Sequence, residues 1–403
     1  MALPYRVSQN GAWHWAGRIL PWVLIVLWYV VRVRTWSNSG IGLLADALIN
    51  AIAVMGQNLI TGYTGQLSIG GAAFFAIGAY TGLMLTEGRI WTPFLDDNTW
   101  TAGWTLPVAA VVCFVVGVVV GLPALRLKGI YLALTTLVFV EAVLGLLRWD
   151  EVAGTTGGAN GIKGSKYIPP EWTPFDGRRD LNQWMLWLSI AILALIVVLV
   201  SGLLRSRIGR AMVATRDNET ASTVMGVNVA FVKTVVFGLS GAITGVAGAL
   251  FGHKLGLVDP AVPLFGLVGS ITILVAMVIG GAAQIWGPLA GGLFYIAVNE
   301  WARAVGENPQ ESLLFGWVGE DTKLNGLGGV IFGVLLVLVA RFAPFGVVGT
   351  FKLMRSRVVL VVPKSPDIGA VDQIATAGAV DPNLEPESNN TIEASSHTSE
   401  GDT

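Results

Sequence analysis

Ala102-Gly-Trp-Thr-Leu-Pro-Val-Ala-Ala-Val-Val-Cys-Phe-Val-Val-Gly-Val-Val-Val-Gly-Leu122 carries no charged side chain from end to end. A helix needs roughly 20 apolar residues to cross the hydrocarbon core of a bilayer, and this run supplies them. The stretches 183–204 and 325–340 are equally free of charge. Reading outward along apolar runs to flanking Trp, Arg and Gly/Pro breaks gives about ten candidate spans. They lie near 17–34, 41–60, 66–86, 102–122, 129–148, 183–204, 231–252, 266–283, 287–304 and 325–343, with 266–304 readable as one bent helix or two short ones. Composition agrees: 53% of the 403 residues are hydrophobic, 13% are charged, and mean hydropathy is +0.66. That charged share is about half of what soluble domains carry. The expected fold class is all-α, a polytopic transmembrane helix bundle of 8–10 spans with discontinuous helices.

A net charge of -1 offers no basic field for nucleic acid. The single cysteine, Cys113, gives no disulfide framework, and His14, His253 and His397 are too scattered for a metal cluster. Residues 20–31 are apolar and follow Arg6 and Arg18, in the manner of a signal peptide. Arg32, Arg34 and Trp36 come next instead of a small-residue cleavage pattern, so this reads as a retained first helix. The expected organisation is an N-terminal segment 1–16, a membrane domain 17–350 and a cytoplasmic, mostly disordered tail 351–403. From Pro363 onward that tail holds eight acidic residues and one lysine, too little apolar surface to offset the entropy of ordering it.

The pairs Gly78/Gly82, Gly117/Gly121, Gly241/Gly245, Gly248/Gly252, Gly287/Gly291 and Gly329/Gly333 repeat the GxxxG spacing that lets helix backbones approach closely. Arg205, Arg207, Arg210 and Arg216, with Arg126, Lys128, Arg341, Lys352, Arg355 and Arg357, fall on one side if the N-terminus is cytoplasmic and ten helices cross. Arg32, Arg34, Lys163, Lys166, Arg178 and Arg179 count the other way. Positive charge near helix ends marks the cytoplasmic side, and the larger set places both termini there.

No lysine follows a glycine anywhere in the chain, so the phosphate-binding loop GxxxxGK[ST] is ruled out. An ATP-driven transporter with this subunit needs its motor on another polypeptide.

Four features carry functional expectations. Asn58-Leu-Ile-Thr-Gly-Tyr-Thr-Gly-Gln-Leu-Ser-Ile-Gly-Gly-Ala-Ala-Phe-Phe75 puts Gly62, Gly65, Gly70, Gly71 and several amides and hydroxyls between two apolar runs. Broken helix at membrane depth is tolerated only where protein or a water-filled cavity satisfies the backbone. Asn58, Tyr63, Gln66 and Ser68 are therefore candidates for a substrate pathway, the alternative being a tight turn at the membrane surface. Residues 204–233 read as a short amphipathic surface helix followed by a turn at Gly226, with Arg216, Asp217 and Glu219 near a partner contact; a topology-fixing basic loop is the alternative. Glu141 lies mid-way along an apolar helix, where an unpaired carboxylate costs at least ~2.5 kcal/mol, so it should face a cavity, a partner or the pathway. Thr155-Thr-Gly-Gly-Ala-Asn-Gly-Ile162 is a glycine turn without the strand and helix that a phosphate loop requires.

At these segments the chain resembles the LivM-type permeases of the high-affinity branched-chain amino acid uptake family. The resemblance runs in order over about residues 40–350: 58–75, Pro123-Ala-Leu-Arg-Leu-Lys-Gly-Ile-Tyr-Leu-Ala133 into Thr136-Leu-Val-Phe-Val-Glu141, Gly157-Gly-Ala-Asn-Gly-Ile162, 209–228, 233–250 and Arg341-Phe-Ala-Pro-Phe-Gly346. It implies a heteromeric ATP-binding-cassette importer in a bacterial plasma (inner) membrane. The implied partners are a second homologous permease, two ATPase subunits that bind the ATP, and an extracytoplasmic substrate-binding protein. The chain itself would be no enzyme and hold no cofactor. Gly209, Arg210, Arg216, Asp217, Asn218, Glu219 and Gly226 then correspond to the segment that docks the ATPase. Gly71 stands where the family has histidine, the closing Arg-Pro-Glu-Gly pattern is altered, and the loop 149–182 and acidic tail look added. Branched-chain or related amino acids are the implied substrate; a urea or amide permease, and a stand-alone secondary transporter, are the alternatives.

Overall fold

The computed structural model describes residues 5–8, 38–89, 101–127, 129–164, 166–169, 173, 180–307, 346, 348–350 and 359–362. The expected spans 17–34 and 325–343, the basic residues Arg341, Lys352, Arg355 and Arg357, and the tail from Pro363 onward lie outside them.

The bundle, within residues 25–355, is built from helices. In chain order they are α1 (Asn38–Gln57), α2 (Gly71–Thr86), α3 (Ala102–Ala124), α4 (Ile130–Arg148), the single turn α5 (Ala153–Thr156), α6 (Leu181–Arg205), α7 (Arg207–Asp217), α8 (Glu219–Val224), α9 (Val229–Leu255), α10 (Leu267–Gly280) and α11 (Gly287–Glu307). Among the described residues five helical stretches have the length and hydropathy to cross a membrane: Asn38–Tyr63, α3, α4, α6 and α9. The shorter α2 and α10 are equally apolar. The stretch 266–304 resolves into two helices, α10 and α11, parted at Gly281.

Helix α9 is the centre, because its small residues admit other backbones. Ser240 Oγ donates to Gly56 O of α1 at 2.7 Å. A Cβ added to Gly117 of α3 would lie 2.6 Å from the carbonyl oxygen of Phe237, and one on Gly78 of α2 would lie 2.6 Å from the carbonyl carbon of Gly245. The GxxxG pairs of α2, α3 and α9 thus converge on one another, as close packing in lipid demands. An aromatic group of Phe75, Tyr80, Phe251 and Phe265, with centroids 5.3–6.3 Å apart, fills the layer beside them.

The outward faces are apolar. Val111, Val115 and Val119 on α3, Leu134 and Val138 on α4, and Leu195, Val198 and Leu199 on α6 are all more than half exposed. Rows of exposed aliphatic side chains on three long helices match a bilayer or another membrane helix as their surroundings, not water.

One end of the bundle gathers the last turns of α1, the surface helices α7 and α8 and the start of α9. The other gathers the starts of α1 and α6, where Asn182 Nδ2 donates to Asn38 O at 3.0 Å, and the end of α9. There the glycine turn 157–161 is pinned, not loose. Ile162–Lys163 (β2) pairs antiparallel with Leu257–Val258 (β3), and Ile162 is fully buried.

The unit formed by residues 1–24 and 356–403 contains a parallel pair that sequence reading does not anticipate: β1 (Tyr5–Ser8) with β4 (Val359–Val362), Tyr5 opposite Val359.

Candidate functional site

The segment between α1 and α2 is where the regular helix fails. Helix α1 passes into a π-helical turn, Asn58–Tyr63, and residues 64–70 are non-helical before α2 begins. At ~1.5 Å per residue the 16 residues of α2 extend only about 24 Å, less than the ~30 Å hydrocarbon thickness. The chain therefore turns back into the bundle before α2 starts. Side chains take up the backbone groups this leaves over. Gln57 Nε2 donates to Ser68 O at 2.6 Å, bringing the returning chain level with the last turn of α1. Ile69 N donates to Thr136 Oγ1 of α4 at 2.9 Å, and Ala72 N to Ser270 Oγ of α10 at 3.2 Å.

A second break lies between α10 and α11, and Asn58 joins the two. Its Nδ2 donates to Gln284 O at 3.0 Å, and its Oδ1 accepts from Ala283 N at 2.9 Å. Ala283 has φ +57°, a left-handed conformation costly for a residue with a Cβ, and the Asn58 clamp helps to hold it. Of the residues expected to line a pathway, Asn58, Tyr63, Gln66 and Ser68 are all buried in this junction. The amide of Asn58 is spent at both ends on the second break, and Ser68 Oγ accepts from Gly70 N at 3.3 Å. Glu141 is elsewhere. It stands on the exposed face of α4 with no hydrogen-bonding or ionic partner among the described residues.

The segment after α6 is the expected amphipathic helix, doubled. Ser206 caps α7, its Oγ accepting from Gly209 N at 3.4 Å, and Asn218 caps α8, its Oδ1 accepting from Ala221 N at 3.0 Å. Gly209 packs against the carbonyls of Leu203 and Leu204, a corner with no room for a side chain. Gly226, at φ +81°, makes the return turn into α9, which Asn228 caps through Phe231 N. Arg210 stays on the surface, donating to Arg205 O at 3.1 Å.

Two links tie this hairpin to the bundle. Arg216 Nη1 reaches Gly62 O in the π-helical turn at 3.4 Å, and its stem lies against Gly65, whose φ of +68° turns the chain. Asp217 Oδ1 accepts from Arg216 at 3.2 Å and steers the guanidinium. Lys233 of α9, its side chain 9% exposed, donates to Glu219 Oε1 at 2.8 Å. Around these links a polar hollow of about 210 Å³ is lined by Gln66, Gly65, Arg216, Asp217, Asn218, Glu219 and Lys233. The structure thus brings Gln66 and the neighbouring break together with four of the seven expected docking residues. Beyond it, Val224 and Met225 at the tip are more than 80% exposed.

Sequence reading missed Gln57, Thr136, Ser270 and Ala283. Thr136 and Ser270 look like ordinary helical hydroxyls, and only the fold brings them to the break. The Gly280–Gly281 and Trp286–Gly287 pairs around Ala283 are the signal that marks the second break. Among the described residues no group of His, Cys, Asp or Glu is arranged to hold a metal ion.

Residues 40–340 match the family described as "Branched-chain amino acid transport system / permease component". The chain is 30% identical over 293 residues to the high-affinity branched-chain amino acid transport system permease protein LivM of Salmonella typhimurium, and likewise to that of Escherichia coli. Each alignment covers 67% of this chain and 65% of the relative, so the chain spans just under two thirds of those proteins' length. The corresponding LivH permease protein of Salmonella typhimurium is 22% identical over 307 residues, 74% of this chain and 91% of its own. No solved structure is a significant match. A helical membrane bundle with two joined breaks, matched from its first described helix through its last, belongs to the family of branched-chain amino acid transport system permease components.

Proposed function

We propose that this chain is the membrane-spanning permease subunit of an ATP-binding-cassette importer for branched-chain or related amino acids. The observation that carries the reading is the α7–α8 hairpin, which offers exposed Val224 and Met225 on one side and on the other grips the broken helix through Arg216 and α9 through the Glu219–Lys233 pair. A separate ATPase binds ATP and seats this apolar tip. Its closure pulls on the hairpin, Arg216 conveys the movement to Gly62 and Gly65, and Asn58 passes it to the second break at Ala283. Tightly hydrogen-bonded breaks move as units, which suits switching between inward- and outward-open arrangements. The chain needs no catalytic group or cofactor of its own for this.

The full assembly in this reading comprises a second homologous permease, two ATPase subunits and an extracytoplasmic substrate-binding protein in a bacterial plasma membrane. Likeness to both LivM and LivH supports a paired arrangement. The α7–α8 end is cytoplasmic, as are both termini, and residues 351–403 form a cytoplasmic tail. Gln66 and Ser68 sit by the pathway at the break, and Glu141, exposed on α4, meets the second permease or the substrate ammonium. The test is uptake of labelled leucine into proteoliposomes holding the complex. Arg216→Ala should stop uptake while the ATPase keeps turning over; full uptake in that variant would refute the coupling role.

A further inference from the structure

An open groove of about 690 Å³ runs between α3, α6 and α9. Every side chain that α6 and α9 contribute to it is hydrocarbon, Leu195, Leu199, Leu203, Leu239 and Ile243 among them, and Leu106 of α3 adds to the wall. From Leu188 to Leu203 the groove follows α6 for about 22 Å, at ~1.5 Å per residue, longer than the ~15 Å of hydrocarbon in one leaflet. Water finds no hydrogen-bond partner on such a wall, and carbon-lined space stays dry or takes an apolar guest.

Just beyond Leu203 comes the corner from α6 into α7, and it is basic: Arg205, Arg207 and Arg210 are all exposed. Between Leu181 and Arg216 the chain has no acidic residue. The carboxylates further along the hairpin are taken, Asp217 by Arg216 and Glu219 by Lys233. Arg210 Nη1 donates to Arg205 O, which draws its guanidinium to the foot of α6, while Arg205 and Arg207 have no hydrogen-bonding or ionic partner among the described residues. A stripe of exposed positions, Ala191, Leu195, Val198 and Gly202, leads along α6 to Arg205, each three or four residues from the next. A Cβ on Gly202 would meet nothing within 4 Å, so the backbone beside Arg205 is bare.

We infer that this corner and groove together bind an anionic phospholipid, its phosphate on Arg205, Arg207 and Arg210 and an acyl chain in the groove. Guanidinium groups suit phosphate because they offer it paired N–H donors. A free phosphate would leave the carbon wall unmatched, and a zwitterionic lipid would bring a cation of its own against three arginines. Arginines at helix ends also fix topology, but topology requires charge alone and no groove leading to it. The inference rests on this junction and is independent of the transport reading, since lipid binding requires no ATPase.

The experiment is native mass spectrometry of the full-length chain, with dioleoylphosphatidylglycerol and dioleoylphosphatidylcholine added in equal amounts to the detergent-purified protein. One phosphatidylglycerol should be retained per chain, at least about tenfold more tightly than phosphatidylcholine. That preference should fall about tenfold or more in Arg205→Gln/Arg207→Gln, since each basic residue at a membrane surface contributes roughly fivefold. Arg126→Gln, which alters an exposed arginine just beyond α3 at the same end of the bundle, should leave the preference unchanged. Dihexanoylphosphatidylglycerol has the same head on short chains and should bind the wild type about tenfold more weakly, an arm that needs no variant to fold. Glycerol 3-phosphate should not displace the lipid. Equal retention of the two dioleoyl lipids overturns the inference. So do an undiminished preference in the folded double variant and an equal loss in Arg126→Gln. Short-chain lipid or glycerol 3-phosphate binding as tightly as the long-chain lipid, as when protein fills the groove, overturns it too.

Discussion

Replacing Gly78 by alanine sets helix propensity against packing. In a helix interior alanine is better than glycine by about 1 kcal/mol, so local preference alone predicts stabilisation. Yet the new Cβ would lie 2.6 Å from both the carbonyl carbon and the Cα of Gly245, closer still to its oxygen. Ordinary carbon contacts start near ~3.5 Å, so the carbon contacts alone require α2 and α9 to part by nearly 1 Å, and the closer oxygen requires more. What it meets is backbone, which has no rotamer to change. Parting also loosens the same helix pair at Gly248, which sits on the carbonyl of Phe75. Overpacking costs about 1–3 kcal/mol, and a backbone clash belongs at the upper end. The net expectation is a loss of about 2 kcal/mol. The chain supplies its own reporter in Cys113, its single cysteine, which is fully buried and whose Cβ would be 2.7 Å from a Cβ on Gly245. Thermal unfolding followed with a thiol-reactive fluorogenic maleimide should show a lower midpoint for Gly78→Ala. Gly145→Ala on α4, with nothing within 4 Å of its new methyl, should melt at or slightly above the wild type. A Gly78→Ala midpoint equal to or above the wild type would refute close packing of α2 on α9.

The other predictions concern the breaks and the hairpin. Asn58→Leu leaves Ala283 N and Gln284 O without partners and should destabilise the chain by about 2–4 kcal/mol in the same melting assay. Ala283→Gly removes the strain of φ +57° at about the cost in chain entropy that glycine brings, so its stability should stay within about 1 kcal/mol of the wild type and its melting midpoint should barely move. Met225→Asp alters a side chain 84% exposed, so melting should be unchanged while affinity for the ATPase subunit, measured with purified components, falls at least tenfold. Arg216→Ala removes surface contacts worth under about 1 kcal/mol to stability and should act on coupling, seen as ATP turnover without uptake.

The bundle was legible because a membrane imposes a composition: uninterrupted apolar runs such as 102–122 have few other uses, and each described one is helical. The break at 58–75 was legible for the same reason, as polar and glycine-rich sequence stands out in lipid. Its purpose was not. Asn58 read as a candidate for the pathway, whereas both ends of its amide are committed to residues 225 and more positions away, a meeting that no local pattern encodes. The loop at 157–161 read as a simple glycine turn because the strand that fixes it, Leu257–Val258, is two residues long and follows a helix 27 residues in length. Lys233 appeared only as the edge of a span. Its ion pair with Glu219 becomes visible once Gly226 turns α8 back along α9.

The measurement that bears most directly on the account is leucine uptake by proteoliposomes containing this chain with and without its ATPase, second permease and binding protein. The account predicts uptake that requires ATP and all of these components and is lost on Met225→Asp. Uptake by this chain alone, driven by an ion gradient in the absence of ATP, would contradict it.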